Sequence, residues 1–438
     1  MPLIIPFRGM RYDPAVAGDV GKLVAPPYDV IDPHLREVLL HESEYNIAHI
    51  TKATRASPEN PYAEAARRWE EWRRSGVVRP DPVPAFYVYE QHFHVRERKF
   101  SRTALTALVE LRPLGDGILP HEKTLSGPRT DRLELMRATR TQFGQVFALY
   151  EDPERAVDAL LDEAKKSPPL VHATTRDNIL HRLWAITDPD RISRLQDLMA
   201  RRELLIADGH HRYETALAYL AEHPDWPAAR YRMMALVNTA NAGLVVLPTH
   251  RLVKDLPGFD REGFVSRLRA HFDIRPYPGD SRAVRSAVLD SMRAAQEDGR
   301  HAFGLYLGNG RYHLLILRDE ASMNGVPGHS EAWRRLDVAI LHHLVIERAM
   351  GITPEAVERQ DYLEYVQDFP HAVRDAAERV REGRAQALLL LNPTRVDEVL
   401  ALARRRELMP QKSTYFYPKV HTGIVMNCLD IGLEASRS

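Results

Sequence analysis

Cysteine is nearly missing from this chain of 438 residues. Cys428 stands alone, which excludes an intrachain disulfide and any multi-cysteine zinc or iron–sulfur site. A net charge is missing too, with 60 Lys plus Arg set against 60 Asp plus Glu. A protein that coats nucleic acid or an anionic membrane needs a basic surplus to release counterions, so any basic site here must be local. Long apolar runs are absent: none exceeds that of Ala387–Leu391, far short of a bilayer span. Residues 1–9 lack the basic and apolar regions of a signal peptide. These absences predict a soluble, cytoplasmic protein that uses no membrane. Lysine is scarce as well, nine of the 60 cations, leaving 51 Arg. Nucleotide composition accounts for abundant Arg but not for where the few Lys fall.

The standard nucleotide and hydrolase signatures are also lacking. No G-x-x-x-x-G-K-[ST] loop occurs, no G-x-G-x-x-G follows a strand, and neither a G-x-S-x-G elbow nor an H-E-x-x-H helix is found. The length allows two or three domains with ample core. A Pro-punctuated stretch containing Pro26-Pro27-Tyr28-Asp29 has the chemistry of a site-lining loop. An amphipathic helix is predicted over 61–75, with Trp69 and Trp72 at helical spacing. Residues 85–95 and 102–111 alternate as a β-hairpin with one wet face. Helices are expected over 131–139, 153–166, 191–199 and 212–220, and strands over 181–186, 204–206, 231–237 and 243–247. From 258 to about 330 the pattern changes to a separate α+β unit, with an Asn309-Gly310 hairpin turn. Residues 336–350 are apolar nearly all round and predict a buried helix, which makes His342 and His343 core or interface residues rather than metal ligands. A strand over 385–391 precedes a helix over 395–405 that Thr394 is expected to cap.

Three constellations could carry chemistry. In Asp208-Gly209-His210-His211-Arg212, a short buried strand, a Gly turn and a helix start place backbone N–H groups beside a cationic fork, which outlines an anion site. The plainer alternative makes Asp208 the helix N-cap and the histidines surface polar residues. His121-Glu122-Lys123-Thr124 joins an acid, a base candidate and a point charge, although a charged β-edge looks similar. Lys412-Ser413-Thr414 with Lys419 interleaves two of the nine lysines with hydroxyls, a donor set suited to phosphate, or else clamps a solvated tail.

Five motifs occur in order: Pro6-Phe7-Arg8, Ala25-Pro26-Pro27-Tyr28-Asp29-Val30, His121-Glu122-Lys123-Thr124, the stretch 207–214, and the stretch 409–419. As a set they resemble the bacterial and archaeal domain-of-unknown-function family 1015, over about 420 residues. The Asp-Gly-His-His-Arg piece is also similar to the signature of ADP-dependent free-serine kinases of the ParB and sulfiredoxin-like superfamily, a looser likeness covering the N-terminal half. The resemblance implies an α+β fold. It would have a ParB/sulfiredoxin-like mixed-sheet core at 1–255, an additional α+β domain at 256–384, and a C-terminal segment at 385–438 returning to the site. It implies phosphoryl transfer or phosphate-ester chemistry on serine or O-phosphoserine, with a small phosphorylated metabolite as partner. Catalytic residues would be Glu122, Asp208, His210 and His211. Tyr28, Asp29, His121, Lys123, Thr124, Gly209, Arg212, Lys412, Ser413, Thr414 and Lys419 would bind the substrate or its phosphate. Pro120 stands where family members often carry a basic residue. Mg²⁺ and ADP or ATP stay open as cofactors, as does a homodimer, and no DNA partner is expected because no helix-turn-helix is recognisable. The alternative is a non-catalytic nucleotide- or phospho-ligand-binding module of the ParB type.

Overall fold

A computed structural model of the chain describes residues 2–54, 59–60, 62–122, 126–431 and 433. It divides into two units: residues 1–120, 124–245 and 418–438 form the first, and residues 121–123 and 246–417 the second. Both are α+β.

The first unit is built on a nine-stranded mixed sheet. Its strands are β1 (Ile4–Ile5), β2 (Phe86–Val95), β3 (Arg98–Glu110), β4 (Ile118–Leu119), β5 (Val146–Tyr150), β6 (Val171–Thr174), β7 (Leu180–Ile186), β8 (Leu204–Asp208) and β9 (Tyr231–Asn238). Their spatial order is β4-β8-β5-β9-β3-β2-β7-β6, with β1 added on β3. The β4–β8 and β5–β9 pairs are parallel and the other pairs antiparallel. The expected hairpin is β2 and β3, but its wet face is not there. The pair lies mid-sheet, so residues 102–109 are buried on both faces and only the turn end reaches water. Val109, Ala148, Ile206 and Leu236 fill the core beneath helices α3 (Ala156–Ala164), α4 (Pro189–Met199) and α5 (His210–Glu222), which contribute Leu161, Leu195 and Tyr213. Each Val, Leu and Ile among them contributes about 1.5–3 kcal/mol by leaving water. Helices α1 (Ala63–Arg74) and α2 (Ser126–Thr139) complete the unit, and Trp69 and Trp72 are buried as their spacing predicts.

The second unit carries a six-stranded antiparallel sheet of β10 (Thr249–Val253), β11 (Phe272–Pro278), β12 (Ala302–Tyr306), β13 (Arg311–Leu317), β14 (Leu363–Gln367) and β15 (Ala387–Leu390). Spatially they run β11-β13-β12-β15-β10-β14. The β12–β13 turn contains Asn309-Gly310 as expected, with Gly308 and Gly310 both at positive φ. Residues 258–330 thus supply three strands, while β10, β14 and β15 complete the sheet. Helices α6 (Arg282–Glu297) and α7 (Pro370–Arg381) pack Val288, Met292, Val373 and Val380 against Leu252, Leu314 and Leu388. The apolar stretch expected as one helix is α-helical over Asp337–Ile340 and then π-helical over Leu341–Ala349, and it is largely buried. Helix α8 (Val396–Arg404) is capped at Arg395, whose N–H is accepted by Glu398 at 2.8 Å. Thr394 is not the cap: its hydroxyl donates to the Ser413 carbonyl at 2.8 Å, so a tertiary acceptor displaces the local role.

Candidate functional site

In the first unit Asp208 ends β8, Gly209 turns the chain and His210 opens α5. The strand bulges against β5 between Ile206 and Asp208, which re-aims its last residue. Asp208 is therefore not the helix cap; that position belongs to Gly209, at φ 93°. One Asp208 oxygen instead accepts from Arg212 Nη2 at 2.5 Å, and the other accepts from Lys419 Nζ. Burial opposes ionisation of this carboxyl, but the charges of Lys419 and Arg212 outweigh it and hold the group well below the usual carboxylate range. A Cβ at position 209 would lie 2.8 Å from Arg212 Nε and Nη2, so glycine is needed for room as well as for the left-handed backbone.

Arg212 also donates to the Gln145 carbonyl, and Arg232 Nη2 donates to the carbonyl of Gly144 next to it. The two guanidiniums line a small cleft of about 60 Å³ together with Arg132, Tyr28, Thr215 and Thr422. Arg232 is 4% exposed, its Nε meets no acceptor, and it forms no ion pair with a described carboxylate. Burial, followed by the like charge of Arg212, pushes its pKa down to about 9. Arg132 differs, since Asp131 accepts from its Nε at 2.9 Å and its guanidinium lies 4.3 Å over the Tyr28 ring. Burial, aided by Asp29, pushes the Tyr28 hydroxyl up to about 12. Asp29 itself is exposed. His210 is buried at the start of α5 and lies near enough to bias Asp208, and His211 is half-buried beside it.

Lys419 reaches Asp208 because its backbone is clamped. Its carbonyl accepts from Gln91 Nε2 at 3.0 Å and faces His421 Nδ1 at 3.3 Å, while the preceding Pro418 carbonyl accepts from the buried Arg102. Arg102 lies 4.6 Å over the Phe147 ring, and burial lowers its pKa to about 10.

His121, Glu122, Lys412, Ser413 and Thr414 belong to the second unit. Glu122 Oε1 accepts from the backbone N–H groups of Ser413 and Thr414 at 3.0 and 3.3 Å, and the buried His121 meets the Thr414 hydroxyl at 2.9 Å. Arg251, fully buried, donates to the Lys412 carbonyl at 3.2 Å and to His342 Nε2 at 3.3 Å. The Lys412 side chain is exposed, on a backbone at φ 54°. Glu122 thus holds the 413–414 backbone. Lys123 and Thr124 lie outside the described residues.

Of the residues expected at a site, the structure gathers Tyr28, Asp208, Gly209, His210, Arg212 and Lys419 in the first unit. Arg132, Arg232, Gly144 and Arg102 were missed. Arg232 left a legible signal, a lone cation in the otherwise apolar run 231–237. Among the described residues no three His, Cys, Asp or Glu side chains gather to hold a metal. Asp208 is already shared by two cations.

A family model described as "Protein of unknown function (DUF1015)" matches residues 4–339. No curated protein matches. Among solved structures, a conserved hypothetical protein from Pyrococcus furiosus is 16% identical, with a TM-score of 0.34 over 72% of this chain and 94% of that one. A free serine kinase mutant in complex with ADP is 12% identical, with a TM-score of 0.34 over 70% and 85% of the two chains. SbnI with a C-terminal truncation, from Staphylococcus aureus, is 9% identical, with a TM-score of 0.33 over 72% and 84%. At these scores the overlaps carry no argument about activity.

Proposed function

The chain belongs to the DUF1015 family of proteins of unknown function, and from that premise we propose an enzyme of phosphoryl transfer or phosphate-ester chemistry acting on serine or O-phosphoserine. The observation that carries the reading is Arg232, a buried guanidinium with no carboxylate partner among the described residues and an unsatisfied Nε, set beside Arg212 at the wall of a cleft. Two like charges held together in low dielectric favour an anion between them, and a phosphoryl group offers several oxygens to two forks. In this reading Arg212 and Arg232 hold the phosphoryl oxygens, with the Thr422 hydroxyl at the same wall. Asp208 is too weakly basic to take a proton near neutrality, so it fixes Arg212 and Lys419 in place. His210 carries the proton to or from the serine oxygen. The choice of serine, and of a nucleotide as phosphate acceptor or donor, rests on the motif resemblance.

The test is product detection. Purified protein is incubated with O-phosphoserine alone and with ADP or AMP, and in reverse with serine and ADP or ATP. Release of phosphate or formation of a nucleotide is expected, with Arg232→Met lowering the rate at least about 100-fold. Silence in every mixture overturns the enzyme. The low basicity of Asp208 favours a second reading, a binding module for a phosphorylated ligand. Silence in those mixtures together with O-phosphoserine or nucleotide binding that Arg232→Met abolishes would establish it.

A further inference from the structure

A second cluster of arginines lies in the second unit, apart from every motif singled out in the sequence. Arg282 and Arg285 from the first turn of α6, with Arg374 and Arg381 from α7, line a cleft of about 510 Å³. Positions three apart on a helix share a face, so the α6 pair presents two guanidiniums together. Arg374 and Arg381 are seven residues apart, about 10 Å along their helix.

The two pairs differ in how their charge is met. Arg374 has Asp375 at 3.0 Å, and Arg381 has Glu378 at 4.0 Å. Neither Arg282 nor Arg285 forms an ion pair with a described carboxylate, although Arg285 is 9% exposed. Its neighbour is the buried Tyr312 hydroxyl, a neutral group. Asp280 also lines the cleft, with one oxygen 3.3 Å from the Tyr306 hydroxyl. Positive charge therefore remains unbalanced at the α6 wall. It is reinforced by the helix end, where the backbone N–H groups of the first turn favour an anion.

An arginine with little exposure and no ion-paired carboxylate among the described residues leaves a charge that an anionic ligand can meet. We propose that this cleft binds a small molecule bearing two anionic groups, one held by Arg282 and Arg285 and the other by the Arg374 and Arg381 rim. A concave wall of limited extent fits a small molecule better than a polyanion, as does a chain with balanced charge.

Pyrophosphate is the probe, titrated into the full chain by calorimetry near 0.15 M salt, with succinate as a dicarboxylate of lower charge. Preference for pyrophosphate would make the anionic groups phosphoryl, and preference for succinate would make them carboxylates. Arg282→Glu is expected to weaken binding of the preferred probe at this site at least tenfold while leaving the melting temperature equal or higher, because an acidic residue suits the first turn of a helix. Arg285→Met should do the same to binding, and Arg232→Met, in the other unit, should leave this site unchanged. The proposal is overturned if neither probe binds, or if Arg282→Glu and Arg374→Glu, both folded by circular dichroism, titrate like the unmodified chain.

Discussion

Gly209 carries two constraints at one position: a left-handed backbone, and 2.8 Å of clearance to the Arg212 fork. Gly209→Ala meets both, so it is expected to cost about 1–3 kcal/mol in urea denaturation and to weaken phosphate binding, as Arg212 can no longer lie against Asp208. Arg232 gives the opposite signature. Its buried charge has no partner ion among the described residues, so Arg232→Met should raise stability by about 1–2 kcal/mol while phosphate binding falls tenfold or more. A melting curve and a binding isotherm on the same variant check both. The residues around Gly209 were legible in the sequence because a turn, a helix start and an Asp–Arg pair four apart are all local. Arg232 stood out as a lone cation in its strand, but its place beside Gly144 was not legible, because only the parallel pairing of β9 with β5 brings residue 232 to the 144–145 backbone. Thr394 was misread for the same reason, since its acceptor lies 19 residues away.

At the scale of elements, the segment from Pro418 to Thr422 is held by side chains of the central hairpin. Arg102 on β3 and Gln91 on β2 grip consecutive carbonyls, and Lys419 projects from between them to Asp208. Arg102→Met keeps much of the packing on Phe147 but removes the grip on Pro418. The expected result is a weaker Lys419–Asp208 pair, read as a rise in the Asp208 pKa by carboxyl NMR and a loss of phosphate affinity, with Lys419→Met giving a comparable rise. An unchanged Asp208 titration would show that the segment holds itself. The hairpin was predictable as an element, but its burial was not, because alternation cannot tell an edge pair from one that neighbouring strands cover on both sides. The π-helical winding over 341–349 was likewise invisible, since an apolar run fits either helical pitch.

Across the whole molecule, acid should act first through histidine. His181 is fully buried, with its ring nitrogens 2.6 Å from the Tyr89 hydroxyl and 3.0 Å from that of Thr175, and His421 lies 4.5 Å away ring to ring. Burial, then the charges of His421 and Arg102, push His181 well below its ordinary value of 6.5. Burial lowers His421 as well. The unfolded chain therefore takes up protons below about pH 6.5 that the folded chain refuses. Stability is present in full above that pH and is lost as the pH falls through it, by up to ~1.4 kcal/mol per pH unit for each histidine. Denaturation midpoints between pH 8 and 5 check the slope, and His181→Gln should flatten it. The Lys419–Asp208 pair joins residues 211 positions apart, whereas Asp208 and Arg212 are four apart. On a ribosome adding roughly 5–20 residues per second, Asp208 and Arg212 exist for roughly 10–40 s before Lys419 is made. Throughout that interval the nascent chain carries half an ion network, and the cleft lacks the Thr422 that lines it.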